Sequence, residues 1–153
     1  MSISVNLDSI SRKISDGVDP INAVPDSLIH ISEGTERRVY RYNDNSVVKF
    51  SLASNQALNQ NVREKTFYDR VKNTPVSDFF ASVTQPKNDS KAKKYIVQEY
   101  IKQNRPVSKT QINEWIEEVN EYNIEVHDAR PVNFGYRGNQ LVMLDYAGCF
   151  FIN

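Results

Sequence analysis

The sequence has a single cysteine, Cys149, and only two histidines. No internal disulfide can form, and a structural zinc site built from Cys and His is disfavoured. The expected folding compartment is therefore a reducing one. Neither sign of charge is in excess: Lys plus Arg number 19, as do Asp plus Glu, and the net charge is zero. That balance removes the bulk electrostatic argument for nucleic acid or an anionic membrane, so any charge-driven contact must use a local patch. Also missing are an apolar run approaching about 18 residues and, within residues 1–25, the apolar core of a secretory signal. The expectation is a soluble, cytoplasmic protein with neither nucleic acid nor membrane as partner. No internal repeat or low-complexity tract interrupts the chain. Its 153 residues suit one domain, and a domain of about 150 residues can bury roughly 68–70% of its unfolded surface, enough for one core.

What is present begins with a helical spacing. Leu7, Ile10 and Ile14 recur between Asn6, an N-cap residue, and Gly17, a C-terminal stop. Pro20 and Pro25 punctuate a connector. LIHIS (28–32) then alternates, EGTER (33–37) turns, RVYRY (38–42) alternates again and NDNS (43–46) turns. SVVKFS (46–51) closes an antiparallel meander with Lys49 among apolar neighbours, and a lysine in a buried strand needs a partner. Leu58, Val62, Phe67 and Val71 predict a helix over 56–72, with Glu64 on it and Asn73-Thr74-Pro75 ending it. FFASV (79–83) and YIVQEYI (95–101) read as two further strands around a Lys-rich turn at 88–94. A second helix over 108–122 opens with a capping box, Ser108 and Gln111, and carries the stripe Ile112, Trp115, Ile116 and Val119.

Chemistry concentrates in HDARPVNFGYRGNQLVMLDYAG, residues 127–148. Asp128 and Asn133 are followed by an apolar run, a Gly138-Asn139 turn, a second apolar run and Asp145, so a strand pair ends on a carboxylate beside the first loop. Oxygen donors of this kind suit a hard cation such as Mg²⁺. Taken alone, D-x-x-x-x-N is a weak signal, since Asp and Asn populate loops for turn formation. Its context adds weight: a strand lysine, a helix glutamate, an apolar strand ending in QEY, the Asp/Asn loop and Asp145 follow one another in order. In that order the chain resembles the protein kinase superfamily, whose catalytic loop reads D-x-x-x-x-N and whose metal-binding D-F-G follows a hairpin. Here those read DARPVN and DYA, with Gly148 one position late.

The resemblance covers about residues 28–150 and implies roles for particular residues. Lys49 would hold the α and β phosphates of ATP and pair with Glu64, whose bland alternative is an exposed helix residue. Asp128 would orient the acceptor hydroxyl and take its proton, while Asn133 and Asp145 would hold Mg²⁺. Arg130 would steady the transferring phosphate; its alternative is a surface cation. His127 replaces the arginine usual before the catalytic aspartate, and packing or a loop hydrogen bond is its expected work. The backbone at Glu99 and Ile101 would hydrogen-bond adenine, with side-chain identity mattering little. In the phosphate-covering loop, GTERRVY keeps only Gly34 of the family's glycines. Arg37 or Arg38 could touch phosphate there, although solvated hairpin charges are the commoner reading. Trp115, Phe79, Phe80, Phe150 and Phe151 read as core or capping residues, and Cys149 as a buried small apolar residue.

The implied fold is α+β and protein-kinase-like: a five-stranded antiparallel N-lobe sheet with one helix, plus a much reduced C-lobe of one helix and the catalytic-loop hairpin. Its divisions would be 1–27 (N-terminal helix and connector), 28–101 (N-lobe) and 102–153 (minimal C-lobe). Beyond Asp145 the sequence supplies no activation segment, A-P-E element or further large-lobe helices. In this it resembles the minimal kinases among bacterial effectors and phage-associated proteins, which implies either a cytoplasmic location or delivery into a host cell without a signal. The implied activity is Mg²⁺- and ATP-dependent γ-phosphoryl transfer to a protein hydroxyl, Ser/Thr ahead of Tyr, with a protein substrate or an activating protein partner. Two alternatives stand beside it: a pseudokinase that only binds a partner, and a small-molecule phosphotransferase of the antibiotic or choline kinase type. Nothing in the sequence bears on oligomeric state.

Overall fold

The computed structural model describes residues 5–16, 18, 20–33, 36–52 and 55–152. The chain forms two compact units, one of residues 1–62 and 84–98, the other of residues 63–83 and 99–153. The elements run α1 (Leu7–Ser15), α2 (Pro20–Ala23), β1 (Ile29–Glu33), β2 (Arg37–Asn43), β3 (Ser46–Ser51), α3 (Asn55–Val71), β4 (Val83–Gln85), α4 (Asp89–Ala92), β5 (Tyr95–Glu99), α5 (Lys109–Asn120), β6 (Ile124–Glu125), β7 (Phe134–Arg137), β8 (Gln140–Met143) and β9 (Phe150–Phe151). Among the described residues, no helix is long and apolar enough to cross a membrane.

The first unit is built around a five-stranded sheet in the order β1-β2-β3-β5-β4, the antiparallel sheet expected. β2 and β3 pair antiparallel, with Val39 opposite Lys49 and Tyr40 opposite Val48. Successive strand side chains point to opposite faces, and β3 is buried on both. Val48 and Phe50 pack with Tyr40, Tyr95 and Val97 and with the α1 stripe Leu7, Ile10 and Ile14. The opposite face of β3 is polar and satisfied: the Asn61 amide donates to the Lys49 carbonyl at 3.2 Å and to the Ser51 hydroxyl at 2.7 Å, and accepts from Arg37 Nη1 at 3.0 Å. Arg37 is thus buried, and the reading of it as a solvated hairpin charge is corrected: a buried cation must be held, and Asn61 holds it. At the start of the chain Asn6 caps α1 by accepting the Ser9 N–H. Asp8 on α1 accepts from the Tyr95 hydroxyl at 3.1 Å and faces the Lys91 ammonium at 3.4 Å. Burial, followed by the Asp8 bond, pushes the Tyr95 hydroxyl up to about 12. The expected helix stop Gly17 lies outside the described residues.

The second unit has an aromatic core. Phe80 lies 5.2 Å from Trp115, 5.0 Å from Phe67 and 5.2 Å from Tyr146, ring centre to ring centre, and Trp115 lies 5.1 Å from Phe134. All four pairs are edge-to-face, an arrangement the ring quadrupoles favour. Ile112, Trp115 and Val119 are the buried face of α5, and both bonds of its N-terminal capping box are present, with Ser108 accepting the Gln111 N–H and the Gln111 side chain accepting the Ser108 N–H. The reading of 79–83 as a strand is corrected. Ser77–Phe79 winds into a 3₁₀ turn, Phe80 makes an isolated bridge to Met143, and β4 begins only at Val83. The phenylalanines that suggested a strand are there to fill this core, and the chain turns to deliver them. A pairing not foreseen joins β6 to β9, Ile124 to Phe151 and Glu125 to Phe150.

Candidate functional site

The 128–145 region is assembled within the second unit. Asp128 adopts a left-handed backbone, φ 57°, a conformation that Asp tolerates better than most residues. Its carbonyl accepts the Arg130 N–H at 2.9 Å, which tightens the loop ahead of a 3₁₀ turn, Pro131–Asn133. Asn133 is buried, and its amide nitrogen donates to the Asp128 carbonyl at 2.7 Å and to Asp128 Oδ2 at 3.2 Å. The Asn133 carbonyl accepts the Leu144 N–H at 2.7 Å. The residue before Asp145 is therefore pinned to Asn133, at the far end of the β7–β8 hairpin, whose turn residue Gly138 has φ 62°. That positive φ is what the glycine supplies.

On the other side of Asp145, the buried Glu64 carboxylate accepts the Tyr146 N–H at 3.0 Å. Asp145 thus stands between two anchored neighbours and is itself exposed. Burial of Glu64 excludes the reading of it as an exposed helix residue. Lys49 belongs to the first unit, where it is 4% exposed on a strand flanked by β2 and β5. Gly34 lies outside the described residues.

Arg130 forks onto Asp128, with Nε donating to Oδ1 at 2.5 Å and Nη2 to Oδ2 at 3.1 Å. The Asp128 carboxylate pushes the guanidinium further up and Asp145 adds to the field, so it stays charged. A carboxylate offers about four acceptor positions. Arg130 and Asn133 fill those on Oδ2, and Oδ1 keeps room for one more donor. His127 stacks on Phe150 with ring centres 5.6 Å apart and bonds Glu125 at 3.1 Å, the packing and loop-bonding work expected of it. Cys149 is buried and its thiol is pushed up to about 12, foremost by burial, in keeping with an inert apolar filler.

Glu99 and Ile101 lie together against β7. Ile101 packs with Ala81, Val142 and Leu144. The Glu99 side chain has a role that the sequence did not reveal: Arg137 grips both its oxygens, at 2.9 and 2.6 Å, and the Ser82 N–H donates to it at 3.0 Å. Glu99 and Arg137 are remote in sequence and no local spacing links them.

Whether this region suits a metal ion can be judged from its donors. Among the described residues there is no group of three or more His, Cys, Asp or Glu placed to hold a metal. Asp145 and Asn133 would offer oxygen donors only, one carboxylate and one amide oxygen. With the Asn133 nitrogen engaged by Asp128, no hydrogen bond reaches its Oδ1 among the described residues. Such donors fit Mg²⁺, which keeps several waters and takes few protein ligands. A cavity of about 390 Å³ lies elsewhere, in the first unit, lined by Leu28, His30, Arg38 and Tyr40 among others, and includes none of these residues.

No protein-family model and no curated protein matches the chain. Among solved structures it is similar to the aminoglycoside phosphotransferase of the streptomycin–ATP–APH(2″)-IIa ternary complex, with 13% identity, a TM-score of 0.58 and coverage of 97% of this chain and 72% of that one. It is also similar to the Legionella pneumophila Lpg2603 kinase bound to IP6, with 16% identity, a TM-score of 0.53 and coverage of 84% of this chain and 52% of that one. The chain spans about half the length of that kinase. These likenesses define the class of fold: protein-kinase-like and α+β.

Proposed function

We propose that this protein is a Mg²⁺- and ATP-dependent phosphotransferase that moves the γ-phosphoryl group to a protein hydroxyl, Ser/Thr in preference to Tyr. The observation that supports the reading is the Asp128–Asn133–Leu144 chain of hydrogen bonds, which ties the Asp128 loop to Asn133 and to the backbone of the residue before Asp145. Two solved kinase-fold structures, one with ATP in its complex, support the reaction class through the shared fold.

In this reading the Asp128 Oδ1 position left by the Arg130 fork accepts the acceptor hydroxyl's proton as that oxygen attacks the γ-phosphorus and ADP leaves. Arg130 keeps the carboxylate aimed and its charge offsets that of the phosphates. Asn133 and Asp145 would hold Mg²⁺, which when bound neutralises charge on the nucleotide phosphates. Glu64 fixes the backbone beside Asp145. Lys49 is assigned to nucleotide phosphate by the sequence resemblance alone.

A small-molecule hydroxyl is the second reading, favoured by the likeness to the aminoglycoside phosphotransferase. Transfer from radiolabelled ATP separates the two. Wild type is incubated with cell lysate proteins or with an aminoglycoside, alongside Asp145→Ala. The proposal expects label on protein that the substitution removes. Label on the aminoglycoside alone selects the second reading, and equal labelling by wild type and Asp145→Ala overturns both.

A further inference from the structure

The segment that follows β5 is fastened along the strand that leaves the candidate catalytic loop. At its start Arg137, on β7, grips both Glu99 oxygens at 2.9 and 2.6 Å and uses its remaining Nη1 to donate to the Asp78 carbonyl at 2.8 Å. The Ser82 N–H and hydroxyl close on the same Glu99 oxygen at 3.0 and 3.3 Å, while the Glu99 N–H donates back to the Ser82 carbonyl at 2.8 Å. Next, a side chain at Gly135 would meet Ile101 Cγ2 at 2.8 Å and the Lys102 carbonyl at 3.1 Å, so the bare backbone of β7 is what lets the segment lie so close. Further on, the Gln103 amide donates to the Val132 carbonyl at 2.7 Å and to the Phe134 carbonyl at 3.0 Å. Arg105 donates to the Gly138 carbonyl at 3.1 Å and lies 3.9 Å over the Tyr136 ring. Three side-chain fastenings and one close backbone approach therefore tie residues 99–105 to residues 132–138.

An ion pair between a fork and a carboxylate, half-buried and with both partners bonded further, has one geometry. Its effect is to hold the backbone of 99–101 in register with Asn133. We propose that Arg137 is a positioning residue for nucleotide recognition: through Glu99 it fixes the backbone that would hydrogen-bond the purine base relative to the loop that would hold the metal and phosphates. The proposal deepens the ATP-dependent reading above and rests on it. It assigns to two side chains a role that backbone recognition of adenine would otherwise leave to chance.

The role predicts a selective loss. The base must find its hydrogen-bond partners at a set distance from the phosphates, so loosening the clamp weakens ligands that contain a base and spares those that do not. Binding of Mg-ATP and Mg-tripolyphosphate is measured by calorimetry for wild type, Arg137→Gln and Gln103→Ala, with kcat and KM for ATP alongside. Arg137→Gln is expected to weaken ATP roughly tenfold, an effect equivalent to about 1.4 kcal/mol. Tripolyphosphate should change less than about twofold, with KM raised and kcat retained, since the chemistry is elsewhere. Gln103→Ala, at an exposed site, repeats the pattern more weakly and stands in if Arg137→Gln does not fold. Unchanged ATP affinity in the folded variants overturns the positioning role, as does a parallel loss of both ligands. Wild type that binds neither ligand overturns the ATP-dependent reading and this role with it.

Discussion

At the scale of single residues, the site depends on carboxylates with different surroundings. Glu64 is fully buried and accepts the Tyr146 N–H. Glu64→Ala leaves that donor orphaned, and the expected loss of stability is about 1–3 kcal/mol by urea denaturation. Glu99 is half-buried, and burial by itself would push its carboxyl up; the Arg137 fork and the Ser82 N–H outweigh that and hold it below the ordinary glutamate value. A carboxyl held low stabilises the fold above its unfolded value, and that contribution is lost as the pH falls through the folded one. Stability should therefore decline as the pH drops through and below the ordinary glutamate range, and Arg137→Gln should flatten the decline in thermal melts taken across that range. The sequence exposed Asp128, Asn133 and Asp145 because a loop and a hairpin keep them close along the chain. The pairing of Glu99 with Arg137 stayed hidden, and so did the burial of Arg37 on Asn61, because those contacts join remote segments and leave no mark on local spacing.

At the scale of elements, α5 and β7 carry the testable features. Ser108→Ala removes the cap of α5 and should cost about 0.5–2 kcal/mol, read as a lowered melting temperature. Gly135→Ala drives a methyl against Ile101 and the Lys102 carbonyl. Overpacking of this kind costs about 1–3 kcal/mol, and because it lifts the 99–105 segment off β7, the KM for ATP should rise with it in steady-state kinetics. Elements with strong periodicity were legible in the sequence: α1, α3, α5 and the β1–β3 meander form where their apolar spacing places them. The FFASV segment was misread because a short apolar run looks the same whether it pairs in a sheet or turns to fill a core. Phe80 does the second. The β6–β9 pairing escaped because each strand is two residues long and has no period to detect.

At the scale of the whole molecule, each unit carries its own apolar core, the first organised by a five-stranded sheet and the second by an aromatic cluster under α5. The kinase-like fold was recognisable from the order of its motifs, and the solved structures that share it do so at 13% and 16% identity. Fold places the candidate groups; function rests on what they hold. In the proposed function the 128–145 loop and hairpin hold a metal-bound nucleotide. Calorimetric titration of ATP into wild type and Asp145→Ala, each with and without Mg²⁺, tests it directly. Wild type is expected to bind saturably and only with Mg²⁺, and binding should weaken at least about tenfold in a folded Asp145→Ala, a change of about 1.4 kcal/mol or more. Binding that is the same with and without Mg²⁺, or the same in both proteins, would contradict it.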